Sequence, residues 1–343
     1  MIDWDFMLHV VILLACAAAI YLSCEWFVNA VEWLGLRLKI GQLAVGTVLA
    51  AFGTALPESV VTFVAVVLGS GPEQKDIGVG AAMGGPLALA TAAYGVTGLM
   101  LLTRRRKVPA GAPASDGRED VGDTRKLARD QKWFLVIFVV KVALGLVTFA
   151  YKPWLGLLFF AAYGVYFWRE LRADGSSDEE VEVEPLRLQP HRETPATWAV
   201  MTQVVVTLAI IFVASQLFVH QLEAVGPMLG LPAAVTALLL APIATELPEI
   251  MNAIIWVRQG KTHLALANIS GAMMIQATVP SGLGIMFTRW RFDGPLLLSG
   301  IVTIIAMIFL LLALTSGRFS GKTLTWAAAF YGLFAVCLIP ILA

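Results

Sequence analysis

Apolar residues fill this chain in long unbroken runs, and polar residues are confined to the gaps between them. A run of about 17 apolar positions is enough for a helix to cross the hydrocarbon core of a bilayer. Such runs lie near 7–30, 41–69, 77–102, 133–151, 153–169, 197–221, 231–257, 262–288, 296–315 and 323–341. The pattern predicts an all-α polytopic membrane protein with ten transmembrane helices. Composition supports it: 58% of the 343 residues are hydrophobic and 14% charged, against about 25% charged in soluble domains. Mean hydropathy is +0.79. Acidic rather than basic residues, Asp3 and Asp5, lead into the first run, so it reads as a retained helix and not a cleaved signal.

Orientation follows from where the basic residues fall. One side collects Arg37 and Lys39, the cluster from Arg104-Arg105-Arg106-Lys107 to Lys132, then Arg169, Arg172, Arg187, Arg192, Arg258, Lys261, Arg318 and Lys322. The other side receives Lys75, Lys152, Arg289 and Arg291, and Lys141 lies within a span. This bias predicts a multi-pass protein of the cell membrane with both termini outside.

Two short segments, Gly53-Thr54-Ala55-Leu56-Pro57-Glu58 and Ala244-Thr245-Glu246-Leu247-Pro248-Glu249, repeat one another 191 positions apart. Phe27-Val28 and Glu32 match Phe218-Val219 and Glu223 at the same offset, and Gly84 matches Gly271 at an offset of 187. The chain therefore reads as a first repeat over 1–169, an acidic linker over 170–196 and a second repeat over 197–343. With five spans, an odd number, in each half, the second copy enters the membrane from the opposite face. Inverted five-helix repeats around a midplane site are an architecture of secondary transporters. The linker, rich in acids and prolines, reads as a solvated flexible segment.

Each motif sets a glutamate just after a proline inside an apolar run. Thr54 and Glu58 are four apart, as are Thr245 and Glu249, so each pair shares a helix face. Pro57 and Pro248 lack an amide hydrogen, which frees the carbonyls of Gly53 and Ala244 and bends the helix there. Glu246 adds a carboxylate where the first copy has Ala55. Pseudo-symmetry would bring Glu58, Glu246 and Glu249 together with Thr54, Thr245 and several carbonyls. That is a set of hard oxygens suited to calcium. Ionised carboxylates at this depth are costly unless paired with cations, so the site holds a divalent ion, monovalent ions or protons, as an exchanger requires.

These motifs resemble the two alpha-repeats of the sodium/calcium exchanger family, whose members carry Gly-Thr-Ser-Leu-Pro-Glu or a close variant in each half. The resemblance covers nearly the whole chain. It implies a cation antiporter, not an enzyme, with Glu58, Glu249, Thr54 and Thr245 as cation ligands. It implies no cofactor beyond the transported ions: Ca2+ or a related divalent cation moving one way, and Na+ or H+ the other. The partners implied are the lipid bilayer and the transported cations, with no nucleic acid and no obligatory protein partner. In the third and eighth spans the family usually has Gly-Ser-Asn followed three residues later by Asn or Asp. Here the segments read Gly84-Gly85-Pro86-Leu87-Ala88-Leu89 and Gly271-Ala272-Met273-Met274-Ile275-Gln276, which keep only the Gln276 amide. Those lost oxygens favour proton coupling or a narrowed stoichiometry, and they give weight to a non-transporting, ion-binding scaffold as the alternative.

Lys141, in the fourth span, is read in two ways: as an internal counter-ion to a carboxylate such as Glu25 or Glu58, or as a lysine in a wet groove or snorkelling to the surface. Glu32 reads as an interfacial residue near Arg37. The tryptophans, among them Trp4, Trp133, Trp154, Trp198 and Trp290, read as an aromatic belt. No His-Glu-x-x-His and no serine–histidine arrangement is present, which argues against an intramembrane enzyme.

Overall fold

The computed structural model describes residues 4–39, 44–68, 71–105, 124–173, 183–228, 230, 239 and 241–342. Most of the basic connection after Arg105, the acidic cluster at 178–182 and most of the apolar segment 235–241 lie outside them. Among the described residues the structure is helical, without strands. Helix α1 spans Trp4–Leu38; α2, Ala51–Phe63, is extended by π-helical turns at Val45–Ala50 and Val64–Leu68. Helices α3 (Pro72–Ala88) and α4 (Tyr94–Arg105) join through a π-helical turn at Leu89–Ala93. Then follow α5 (Thr124–Leu146), a 3-10 turn at Lys152–Leu155, α6 (Gly156–Ala173) and α7 (Thr197–Met228). The chain continues through α8 (Ala241–Thr245), α9 (Leu247–Gln259), α10 (Thr262–Phe287), α11 (Gly294–Thr315) and α12 (Gly321–Leu342).

Six described stretches are long and apolar enough to cross a membrane: Trp4–Leu38, Gly78–Thr103, Thr197–Phe218, Thr262–Phe287, Gly294–Thr315 and Gly321–Ile341. The remaining predicted spans are shorter, interrupted or charged. The helix that carries the fourth extends from Thr124, ahead of the span predicted near 133, through a polar first part, and ends at Leu146.

Helix α10 is the axle of the bundle. It is apolar on every face, which in an element of a large protein means burial on every face. It packs on α2, α3, α5, α6 and α9, and its small residues let neighbouring backbones approach closely. At Gly271 a Cβ would sit 2.2 Å from the Thr47 carbonyl oxygen, and at Gly84 one would sit 2.8 Å from Pro242 Cγ. These two glycines, equivalent in the sequence repeat, thus each press on the polypeptide just ahead of the other half's motif. On the periphery, α1 and α7 pack along each other, as do α4 and α12.

Within the predicted linker, residues 183–196 run as a strap that is mostly exposed yet tied to α1 and α7. The Asn29 amide nitrogen donates to the carbonyls of Glu184 (3.2 Å) and Pro185 (3.3 Å), and its oxygen accepts from Arg187 N at 3.1 Å. Gln203 on α7 accepts from Leu188 N at 2.9 Å and donates to Asn29 Oδ1 at 3.1 Å, while Leu186 is fully buried. The strap has no regular structure of its own, so two amide side chains meet its backbone polar groups.

Two further expectations change. Trp4, Trp154 and Trp198 are exposed as a belt requires, but Trp290 is buried, and its indole donates to the Lys141 carbonyl at 3.0 Å. Glu32, read as interfacial, is buried: it accepts from Trp256 Nε1 at 2.9 Å and pairs with Lys261, so it ties α1 to α9. In the polar first part of α5, Lys126 and Arg129 reach Glu170 of α6 at 2.9 and 2.8 Å. Glu170 also accepts from Thr47 at 3.4 Å. Burial, and next the nearby Glu170, push Asp130 in this cluster up to about 7.

Candidate cation site

The two motifs fold differently. The first stays helical through Gly53–Glu58 inside α2. The second breaks at Glu246, which stands between α8 and α9 with φ −87° and ψ 7°, while Pro248 takes the second position of α9, where its missing N–H costs little. The interruption therefore falls at Glu246, two residues before the proline expected to bend the helix. It aims the Glu246 side chain at α3 and α10.

Gln276, from the middle of α10, joins the halves. Its amide nitrogen donates to Glu58 Oε2 at 3.0 Å and to Glu246 Oε1 at 2.6 Å. The Glu58 and Glu246 carboxylates adjoin, near enough to share a proton, and the Glu249 carboxylate acts on both through space. Thr54 stands beside Glu249, with its hydroxyl hydrogen given to Ala50 O at 3.1 Å. Thr245 donates to Pro242 O at 3.1 Å. Glu246, Glu249, Gln276 and Thr54 are buried; Glu58 and Thr245 are half-buried. All six predicted ligand residues thus lie at the meeting of α2, α8, α9 and α10. The predicted metal trio of Glu58, Glu246 and Glu249 is looser than expected: among the described residues no three His, Cys, Asp or Glu side chains converge tightly enough to form a ready metal cluster. What is assembled is a carboxylate pair bridged by an amide, with the third carboxylate beyond it.

Gly85 explains one departure of the sequence. A Cβ there would stand 2.6 Å from Gln276 Oε1 and 2.8 Å from Glu246 Oε1. The position where the resemblance anticipates serine holds glycine, and a side chain there would displace the ends of Glu246 and Gln276. Leu89, at the other departed position, is fully buried where α3 passes into its π-helical turn.

The most informative property of the site is what its oxygens lack. Glu246 Oε2, both oxygens of Glu249, Gln276 Oε1, Asn252 Oδ1 and Asn268 Oδ1 are buried without a well-aligned donor. Unmatched buried acceptors are rare in folded proteins because each forfeits its hydration. Asn252 lies one turn after Glu249, and Asn268 Nδ2 reaches the Glu249 carbonyl at 3.4 Å. Sequence reasoning did not single out either asparagine; their signal was an amide inside an apolar run, with Asn252 at helical spacing from Glu249. Cys24 of α1 also touches the site, its thiol donating to Pro248 O at 3.8 Å.

Lys141 is fully buried, which excludes both the wet groove and the snorkelling side chain. Its Nζ donates to Ala82 O at 2.8 Å and Ser281 Oγ at 3.1 Å and lies 4.5 Å from the centre of the Phe138 ring. Glu58 is the carboxylate that acts on it through space. Glu25, the other partner considered, interacts with Tyr21.

Comparison with known proteins brings three findings. The profile of the family described as "Sodium/calcium exchanger protein" matches residues 8–171 and 200–342. The inner membrane protein YrbG of Escherichia coli strain K12 is 25% identical over 332 residues, 91% of this chain and 93% of that one. CaxA of Alkalimonas amylolytica is 24% identical over 280 residues, 79% of this chain and 78% of that one. Among solved structures, the sodium-calcium exchanger NCX_Mj soaked with 10 mM Na+ and 10 mM Sr2+ superposes with a TM-score of 0.73 at 17% identity, covering 98% of each chain. With neither Na+ nor Ca2+ in the soak, the same exchanger matches at a TM-score of 0.72 and 16% identity, over 97% of this chain and 99% of that one. At such identity the structural likeness is one of fold.

Proposed function

Because this chain belongs to the sodium/calcium exchanger family, we propose that it is a secondary-active antiporter that moves Ca2+, or a related divalent cation, against Na+ or H+ by alternating access. The observation that carries this reading is the adjoining pair of Glu58 and Glu246 carboxylates on Gln276, with Glu249 nearby and oxygens of Glu246, Glu249 and Gln276 buried without a well-aligned donor. Carboxylates this close repel unless a cation or proton stands between them. Glu58, Glu246 and Glu249 supply the charge, while Thr54, Thr245 and Gln276 contribute neutral oxygens. Calcium tolerates such a mixed, irregular shell, because it accepts six to eight oxygens in flexible geometry.

We assign the chain two inverted five-helix repeats, 1–169 and 197–343, with ten crossings in all. The reciprocal close approach of Gly84 to Pro242 and of Gly271 to Thr47 supports this assignment. Alternating access is then a movement of α1 and α7, packed on one another and braced by the strap, against the α2, α9 and α10 core. The protein sits in the cell membrane with both termini outside, as the distribution of its basic residues supports.

The test is uptake of labelled calcium into vesicles holding the purified protein, with sodium and proton gradients imposed separately. Gradient-driven uptake is expected, and Glu58→Gln or Glu249→Gln abolishes it. Uptake that persists in both variants overturns the site assignment. Calcium binding without flux under either gradient would instead assign the chain to the non-transporting scaffolds.

A further inference from the structure

Lys141 plays no part in the oxygen shell described above, yet it is the one cationic side chain that faces the site's carboxylates from within the bundle among the described residues. Resting on the antiporter reading, we propose that its ammonium is a resident monovalent cation of the exchange site. In its protonated form it occupies one place that a mobile ion would otherwise fill, so that one divalent cation is exchanged for two monovalent charges and transport is electroneutral.

The surroundings of Lys141 are built for an ammonium. Pro86 lies inside α3 and has no N–H for the carbonyl four residues back, that of Ala82. That orphaned oxygen is the one Lys141 Nζ meets at 2.8 Å. Pro280, inside α10, leaves the Gln276 carbonyl unpartnered in the same way. Ser281 Oγ donates to this carbonyl at 3.2 Å and accepts from Lys141 at 3.1 Å. A lysine ammonium has three donors; two go to these oxygens, and the Phe138 face lies within cation–π range at 4.5 Å. The link continues from Lys141 through Ser281 to Gln276, whose side chain holds Glu58 and Glu246. Two prolines in separate helices thus supply the orphaned carbonyls at either end of the lysine's polar contacts.

Charge counting gives the consequence. Glu58, Glu246 and Glu249 carry three negative charges when ionised, and Lys141 returns one positive charge. The balance of two negative charges equals one divalent cation, or two monovalent ones. Without the lysine, three monovalent charges would be needed to empty the site of uncompensated charge. A buried charge left unmatched costs several kcal/mol, so occupancy follows this balance.

The first test counts the Na+ and H+ released per Ca2+ bound by the purified full-length protein in detergent. Two are expected for the unaltered chain and three for Lys141→Met, while Lys141→Arg retains two. A count of three in the unaltered chain overturns the proposal without any variant having to fold. The second test sets a K+/valinomycin potential across vesicles. Calcium accumulation in the unaltered protein is expected to ignore it, and in Lys141→Met to shift about tenfold per about 60 mV, the effect of one charge. A methionine variant that matches the unaltered protein in either measurement also overturns the proposal. Absence of flux in the unaltered protein under either gradient sinks the antiporter reading itself, and the release count still decides the role of Lys141.

Discussion

The two motif copies differ by a single change of chemical kind, Ala55 against Glu246, and the difference reorganises the backbone around it. In the first copy the helix continues to Phe63, and its glutamate, Glu58, is half-buried with one oxygen bonded to Gln276. In the second copy the helix stops at Thr245 and restarts at Leu247. It carries one glutamate at the break and another, Glu249, fully buried with Thr54 of the first copy beside it. The halves are therefore not equal contributors: the first offers a half-buried carboxylate bonded to Gln276, the second a deep one whose neighbouring hydroxyl comes from the other half. Repetition supplied the two glutamates, and divergence at one position supplied the third.

The sharpest way to break this asymmetry is to neutralise the deep carboxylate. Glu249→Gln removes a charge whose place water cannot fill, and calcium affinity, read by labelled-ion binding, is expected to fall by about 100-fold or more. Glu58→Gln should weaken binding less, on the order of tenfold, because the half-buried site can admit water; equal losses would mean that the two halves act alike. Converting Glu246→Ala makes the second copy chemically like the first, and a loss of calcium affinity of about 10- to 100-fold is expected. A smaller effect is expected from Gly85→Ser, whose side chain collides with Gln276 and Glu246. About a tenfold loss in binding is expected, and the added loss should shrink when Gly85→Ser is made in the Glu246→Ala background. If the two losses multiply in the double variant, the two positions do not share space in the way the structure describes.

The smallest effect belongs to the polar end of the bundle. The folded protein holds a proton on Asp130 up to about pH 7, whereas an unperturbed carboxyl at 3.8 has already released it. The native state therefore binds more protons than the unfolded state between these values, and stability falls as pH rises through the window, then levels off above it. Melting of the detergent-solubilised protein should drop by on the order of a few °C from pH 5 to pH 8. Asp130→Asn should flatten that dependence. An identical pH profile in the variant would place the titrating group elsewhere.

Much of the site could be read from one dimension. Thr54 with Glu58 and Thr245 with Glu249 were marked by spacings that put each pair on one helix face, Glu246 by an added carboxylate and Gln276 by the family resemblance; the structure brings Glu58, Glu246 and Gln276 into contact, with Glu249 and Thr54 beside them. Asn252 and Asn268 escaped notice because an amide inside a helix is as often a neutral packing residue; only the missing donors around them reveal a role. The anchoring of the strap at 183–196 was not legible for a similar reason. Acids and prolines describe a segment that cannot pack with itself, and say nothing of Asn29 and Gln203 waiting on other helices to receive its backbone.

Local chemistry acts over a few residues, and so the chain alone decides which segments are helical and apolar, where prolines orphan carbonyls, and which half carries the additional glutamate. Convergence is a long-range matter. Whether Lys141 snorkels or is walled in, whether Trp290 anchors in lipid or caps a buried carbonyl, and which oxygens are left without donors depend on partners from other helices, such as Ser281 for Lys141 and Lys141 for Trp290. Those partners meet only because α10, apolar on every face, draws the other helices around it.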